Sequence, residues 1–276
     1  MRLVYDGQAV PLLVEDSAFE GVKRTAGKVA EDIRKVTGHK PQILSGGQAR
    51  QTPVVLCATV GKSPMLEELE QEGLADLSQV RGKREVYLIR KIRGSRLCQG
   101  EMLLICGSDK RGTIYGMFAL SEYIGVSPLC FWGDVDPALN PDQEIGDDIQ
   151  TLSREPSVRY RGFFINDEWP CFGNWTCDHF GGFNADAYEH VFELLLRLKG
   201  NYLWPAMWSA SFPIDGPGSA NEELADIYGV VMGYSHHEPC LRASEEWDKV
   251  RGPETPYGNE WNFYTNEQGL LRYWEE

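Results

Sequence analysis

Three stretches of the second half decide the fold: Gly162-Phe163-Phe164-Ile165-Asn166-Asp167-Glu168-Trp169, then Asn201-Tyr202-Leu203-Trp204-Pro205-Ala206-Met207-Trp208, then Val230-Val231-Met232-Gly233-Tyr234-Ser235-His236-His237-Glu238-Pro239. In each, a short apolar run ends in a cluster of polar or aromatic side chains. Helical patterns separate them. Asp186 to Lys199 carries Tyr188, Val191, Phe192, Leu195 and Leu198 on one face and stops at Gly200. A second helix follows the capping box Ser219-Ala220-Asn221-Glu222 and ends at Gly229. Strand, polar strand end and helix in that rhythm is how a (β/α) barrel carries chemistry at the carboxyl ends of its strands. A further helix is predicted from Arg242 to Val250, and a helical trend near the carboxyl end.

The strand ends supply the candidate chemistry. Asp167 and Glu168 are adjacent carboxylates able to hold a hydroxyl, position a water or take a proton. Adjacent side chains on extended backbone point opposite ways, so one of the two suffices for a pocket. Both could instead bind loop amides. Trp169, Phe172, Trp175, Phe180 and Phe183 lie in a long Gly-rich loop predicted over 169–184, where they stack on a sugar ring or pack the loop down. Trp204 and Trp208 fit a pocket floor or the barrel core. His236, His237 and Glu238 suit hydrogen bonding or proton transfer better than zinc, because they lack the HExxH spacing that sets two histidines on one helix face.

The first half reads as a small α/β domain with a mixed or antiparallel sheet, residues 1–150. A strand is expected over residues 8–14. The box Ser17-Ala18-Phe19-Glu20 then opens a helix with Val22, Ala26, Val29, Ile33 and Val36 inward and Gly38 as its stop. Pro53 to Val60 is a buried strand, and Lys62 to Leu77 is acidic and weakly helical. Glu85–Arg90 and Glu101–Gly107 pair as a hairpin. Gly107-Ser108-Asp109-Lys110-Arg111-Gly112 is the entry to a helix from about Thr113 to Ile124. A Gly-rich strand-to-helix turn can cradle an anion, though this one is neither a P-loop nor GxGxxG; the other reading is a plain helix entry with Asp109 as its cap. Residues 126–135 read as extended and aromatic, and 136–158, with Pro137, Pro141 and Pro156, as a linker. The second domain is taken as 151–276.

Composition narrows the partners. With 42% hydrophobic and 11% aromatic residues, the chain can bury a core. A net charge of −14 argues against nucleic acid or an anionic membrane as partner. Seven cysteines without a CxxC pair fit free thiols rather than a disulfide framework or zinc site. No apolar run approaches a membrane span, and the amino terminus has no long apolar h-region, which favours a cytoplasmic over a secreted location.

The runs GFFINDEW, FELLLRLKGNYLWPAMW and ADIYGVVMGYSHHEP resemble glycoside hydrolase family 115, the xylan α-glucuronidases. GSDKRGTIYGMFALSEYIGVSP and FWGDV in the first half agree with that family's N-terminal domain. The resemblance implies removal of glucuronic acid or its 4-O-methyl ether, α-1,2-linked in glucuronoxylan or xylo-oligosaccharides. It also implies inversion of configuration, no cofactor, no metal, and a possible homodimer in the full-length enzyme. It assigns Asp167, Glu168 and His236 to catalysis. It carries Glu122, Trp204 and His237 into the same pocket, and with Trp169 and Glu238, read from the residues themselves, these are the expected substrate-binding positions. From Arg159 to Glu276 there are 118 residues, whereas a full barrel needs about 250. The fold expected is therefore α/β: the small N-terminal α/β domain, then the first three or so β/α units of a TIM-type (β/α)8 barrel, incomplete in this chain. Such a fragment is expected to be inactive alone. A non-catalytic carbohydrate-binding protein and a metal-dependent hydrolase built on His236, His237 and Glu238 are the alternatives.

Overall fold

The computed structural model describes residues 1–46, 53–98, 100–234 and 244–275. They divide into two compact units: Met1–Arg159 with Leu196–Gly200 and Ile227–Gly229, and the remainder from Tyr160 onward.

The first unit is built on a six-stranded sheet. Its strands are β3 (Leu12–Leu13), β4 (Ile43–Leu44), β5 (Val54–Thr59), β6 (Tyr87–Ile92), β7 (Met102–Gly107) and β8 (Thr151–Leu152), in the order β4-β3-β5-β7-β6-β8. The pairs from β4 to β7 are parallel, and β6 runs antiparallel to both β7 and β8. The sheet is thus mixed, and β6–β7 is the expected hairpin. β1 (Val4–Tyr5) and β2 (Gln8–Ala9) form a separate small ladder.

Side-chain alternation sorts the core. Leu56, Leu88 and Leu104 face one side with Leu66 and Leu69 of α2 (Pro64–Gln71). Ile105, in the alternate register, meets α3 (Lys110–Tyr123) at Gly116, where a Cβ would stand 2.8 Å from the Ile105 side chain. The helix α1 (Glu20–Thr37) buries Val22, Ala26, Val29, Ile33 and Val36, and Gly38 closes it at φ 81° as the sequence predicts. Asp109 caps α3, its carboxylate accepting the Gly112 N–H at 2.8 Å.

Three local expectations fail here. Phe19, not Ser17, occupies the N-cap of α1 with no side-chain cap; Ser17 stands two residues further upstream, where its hydroxyl donates to the Lys62 carbonyl. Residues 126–135 form turns rather than a strand, closed by Cys130 N–H to Ser127 O and Gly133 N–H to Leu129 O. Part of the expected linker is also structured, since β8 adds to the edge of the sheet.

In the second unit, β9 (Gly162–Phe164), β10 (Tyr202–Trp204) and β11 (Val231–Met232) are all parallel, in the order β9-β10-β11. The connections hold α4 (Phe172–Phe180) and α5 (Ala185–Arg197), then α6 (Phe212–Asp215) and α7 (Ala220–Tyr228). Parallel neighbours demand such crossovers. Tyr188, Val191, Phe192 and Leu195 are the buried face of α5. Helix α4 corrects the long loop expected over 169–184. Ser219 does not complete a capping box with Glu222. Its hydroxyl donates to the Glu223 carboxylate at 2.5 Å. Helices α8 (Ser244–Val250) and α9 (Glu267–Glu275) hold a small aromatic core of Trp247, Leu270 and Tyr273. Among the described residues, no helix is long and apolar enough to cross a membrane.

Candidate functional site

The carboxyl ends of β9 and β10 meet in the second unit, and Asp167 joins them. Its side chain is fully buried. Oδ1 accepts the N–H groups of Met207 at 3.2 Å and Trp208 at 2.9 Å, and Oδ2 those of Ser209 at 2.6 Å and Ala210 at 2.9 Å. Four consecutive amides on one carboxylate form an anion cradle of main-chain donors. Each is a charge-assisted bond, stronger than a neutral one. The carboxylate thereby fixes the turn that leaves β10.

Glu168, one residue on, points outward as alternation requires. It is exposed, and its Oε1 accepts from the Asn166 amide at 2.9 Å. The neighbouring carboxylates are thus separated in role: one is committed to the backbone and the other is open to solvent.

Trp169 is about half exposed, at 49%. Its indole lies against α4 at Gly173, where an added Cβ would come within 2.5 Å of the ring. The glycine is what lets the ring approach the helix so closely. The remaining loop aromatics pack on one another. Phe172 stacks on Trp175 at 5.9 Å, Trp175 stacks on His179 at 4.3 Å, and Phe183 meets Phe172 edge-on at 5.4 Å. Trp204 sits edge-on to Phe164 at 5.6 Å, and Trp208 is 41% exposed.

A cavity of about 260 Å³ opens beside Trp169 and is lined by Ser209, Ala210, Asp215 and Lys249, with the Gly181–Asn184 turn. Lys249 pairs with Asp215 Oδ1, and Asp215 Oδ2 accepts the Ser211 N–H at 2.7 Å. Tyr188, buried beneath, has its phenol raised well above the ordinary range, first by burial and then by Tyr234, Asp215 and Asp167.

The structure therefore brings Asp167 and Trp169 to one end of the sheet. Glu122 lies on α3 in the first unit, its carboxylate taking the Lys199 ammonium at 3.1 Å. His236, His237 and Glu238 lie outside the described residues. Among the described residues no group of three or more His, Cys, Asp or Glu side chains is arranged to hold a metal. Asp215 and Lys249 escaped the sequence reading because 34 positions separate them, Asp215 lies between the predicted helices, and Lys249 reads as an ordinary helix residue.

The comparisons add the lineage. The model of glycosyl hydrolase family 115 matches residues 153–276. No curated protein matches the chain. Among solved structures, the chain is similar to BtGH115A, described as a family GH115 4-O-methyl-α-glucuronidase with specificity for decorated arabinogalactans. The identity is 30% and the TM-score 0.78, over 99% of this chain and 34% of that one. The chain thus spans about a third of that enzyme's length. Two weaker likenesses are CpGH84D, at 10% identity and TM-score 0.46 over 87% of this chain and 36% of that one, and a Streptomyces plicatus β-hexosaminidase mutant, at 12% and 0.47 over 84% and 42%. The family match over the second half and the 30% identity along nearly the whole length identify the chain as a member of glycosyl hydrolase family 115.

Proposed function

We propose that this chain is the amino-terminal part of an α-glucuronidase that removes glucuronic acid, or its 4-O-methyl ether, from a decorated plant polysaccharide. The observation that carries this reading is the 30% identity to a 4-O-methyl-α-glucuronidase along 99% of the chain. Three parallel strands in chain order, joined through helices, support reading the second unit as the opening of a (β/α)8 barrel. The bond cleaved is α-1,2 to xylose in glucuronoxylan, with decorated arabinogalactan as the second substrate to assay.

In an inverting glycosidase, an acid and a base about 6.5–9.5 Å apart flank the scissile bond. Beyond the end of β9 Glu168 has the solvent-exposed carboxylate for proton transfer, and His236 is the second candidate. Asp167 serves the reaction by positioning, since its oxygens are spent on amides. Trp169 and Trp204 offer ring faces to the sugar, with Glu122, His237 and Glu238 as further binding candidates. Three barrel strands among the described residues supply only a minority of the strand ends of a (β/α)8 barrel, so the chain alone is expected to be inactive.

The test is release of (4-O-methyl-)glucuronic acid from glucuronoxylan and from arabinogalactan. It is run on this chain and on a protein extended beyond Glu276. Release by the extended protein only, lost in Glu168→Gln, is the expected result. Release by the 276-residue chain would overturn its inactivity. No release by either would overturn the proposed activity.

A further inference from the structure

We infer that the cavity between Trp169 and the Asp215–Lys249 pair is a subsite for a neutral pyranose of the polysaccharide backbone, not for the uronic acid. This rests on the glycosidase reading and names what the cavity holds.

The volume, about 260 Å³, falls below the roughly 300 Å³ at which drug-sized pockets begin, so it suits a single sugar ring. Trp169 is a preset platform. Its ring is seated against Gly173 with no room for a Cβ between them, and half of its surface stays open. A rigid aromatic face loses little entropy when a sugar's C–H face stacks on it.

The polar lining fits hydroxyls. Asp215 offers acceptor lone pairs, and Lys249 has three N–H donors, of which the pair with Asp215 uses one. A hydroxyl both donates and accepts, so it matches such a pair. A carboxylate does not. The Lys249 charge is already balanced by Asp215, and the Asp167 carboxylate lies directly behind Ser209 and Ala210. An anionic sugar would meet two negative charges against one positive, within a chain of net charge −14.

The experiment is ligand-observed saturation-transfer NMR with titration of methyl β-xyloside, methyl β-galactoside and glucuronate against the folded chain. At least one neutral glycoside is expected to bind about fivefold more tightly than glucuronate. Trp169→Ala and Gly173→Ala should each weaken it by about fivefold, the scale of one aromatic contact, while Trp169→Phe holds it within about twofold. Circular dichroism checks that each variant is folded. Tighter glucuronate binding, no binding of either neutral glycoside, or a folded Trp169→Ala protein that binds as wild type would overturn the inference. Glucuronic acid release by the extended protein with KM unchanged in Trp169→Ala would also overturn it while leaving the glycosidase intact. Neutral-sugar binding that depends on Trp169, in a protein releasing nothing, would uphold it and count against the proposed reaction.

Discussion

Asp167 Oδ2 accepts the Ser209 backbone N–H at 2.6 Å, the shortest of four such bonds that tie the end of β9 to the turn after β10. Asp167→Asn replaces one oxygen by an N–H₂ that faces donors, and should cost about 3 kcal/mol through lost charge-assisted bonds and buried unpaired amides. Urea unfolding followed by near-UV circular dichroism measures it. A residue acting only in proton transfer would leave stability unchanged on the same substitution.

The Asp32–Arg197 pair in the first unit is buried, with N–O at 2.8 Å, and the guanidinium lies 4.4 Å from the Phe118 ring centroid. Asp32→Ala or Arg197→Ala alone should cost about 3–5 kcal/mol by stranding the other charge. The double substitution Asp32→Leu with Arg197→Met should recover most of that loss. Equal losses in single and double variants would show that packing, not charge, decides.

Two glycines give opposite expectations. An added Cβ at Gly162 would stand 1.5 Å from the Tyr202 carbonyl oxygen, whereas at Gly27, inside α1, nothing lies within 4 Å. Gly162→Ala should therefore break the β9–β10 register and cost about 3 kcal/mol or more. Gly27→Ala should stabilise by about 0.5–1 kcal/mol through helix propensity. Thermal midpoints of the two variants should move apart.

Burial pushes the thiols of Cys57 and Cys106 up to about 12, while Cys171 and Cys177 are exposed. At pH 8, a disulfide reagent should modify Cys171 and Cys177 in the native protein. It should reach Cys57 and Cys106 only after unfolding. Peptide mapping of the labelled sites decides it.

Burial also raises the carboxyl of Glu222, with Glu223 and Glu246 adding repulsion. The folded protein therefore holds that proton more tightly than the unfolded chain. The contribution to stability is present below the unfolded carboxyl value and lost as pH rises through the folded one. Glu222→Gln should flatten that fall in a denaturation series across the mildly acidic range.

How far the sequence foretold the structure depended on which groups carried the information. Helices α1, α5 and α7 have apolar periodicity and glycine stops, and all three stand where the pattern predicts, except that α5 ends at Arg197 and leaves Leu198, expected on the apolar face, exposed. The β6–β7 hairpin and the Asp109 cap were legible for the same reason. Helix α4 was hidden because Phe172–Phe180 contains Gly173 and Asn174 and no clean stripe. It is held by ring stacking and by Gly181 in the left-handed region, φ 80°. The Asp167 cradle was hidden more deeply. Its four partners are main-chain amides, which every residue but proline owns, so no side-chain pattern reports them. A carboxylate at a strand end looks the same whether it transfers protons or braces a turn. The Ser17 motif failed because the helix begins only at Glu20, two residues later than a Ser17 cap requires, with the Ser17 hydroxyl held by the Lys62 carbonyl 45 positions away.

The first unit is drawn from three separate parts of the chain, and two of them, Leu196–Gly200 and Ile227–Gly229, follow the second unit's first strand. Tyr115 donates to the Gly200 carbonyl at 2.8 Å, and Arg111 to that of Gly229 at 2.7 Å. A gene segment ending near residue 160 would encode a body missing its own braces. This half of the protein is thus a poor candidate for exchange as a cassette between enzymes, and proteolytic nicking ahead of Tyr160 should not release a stable piece.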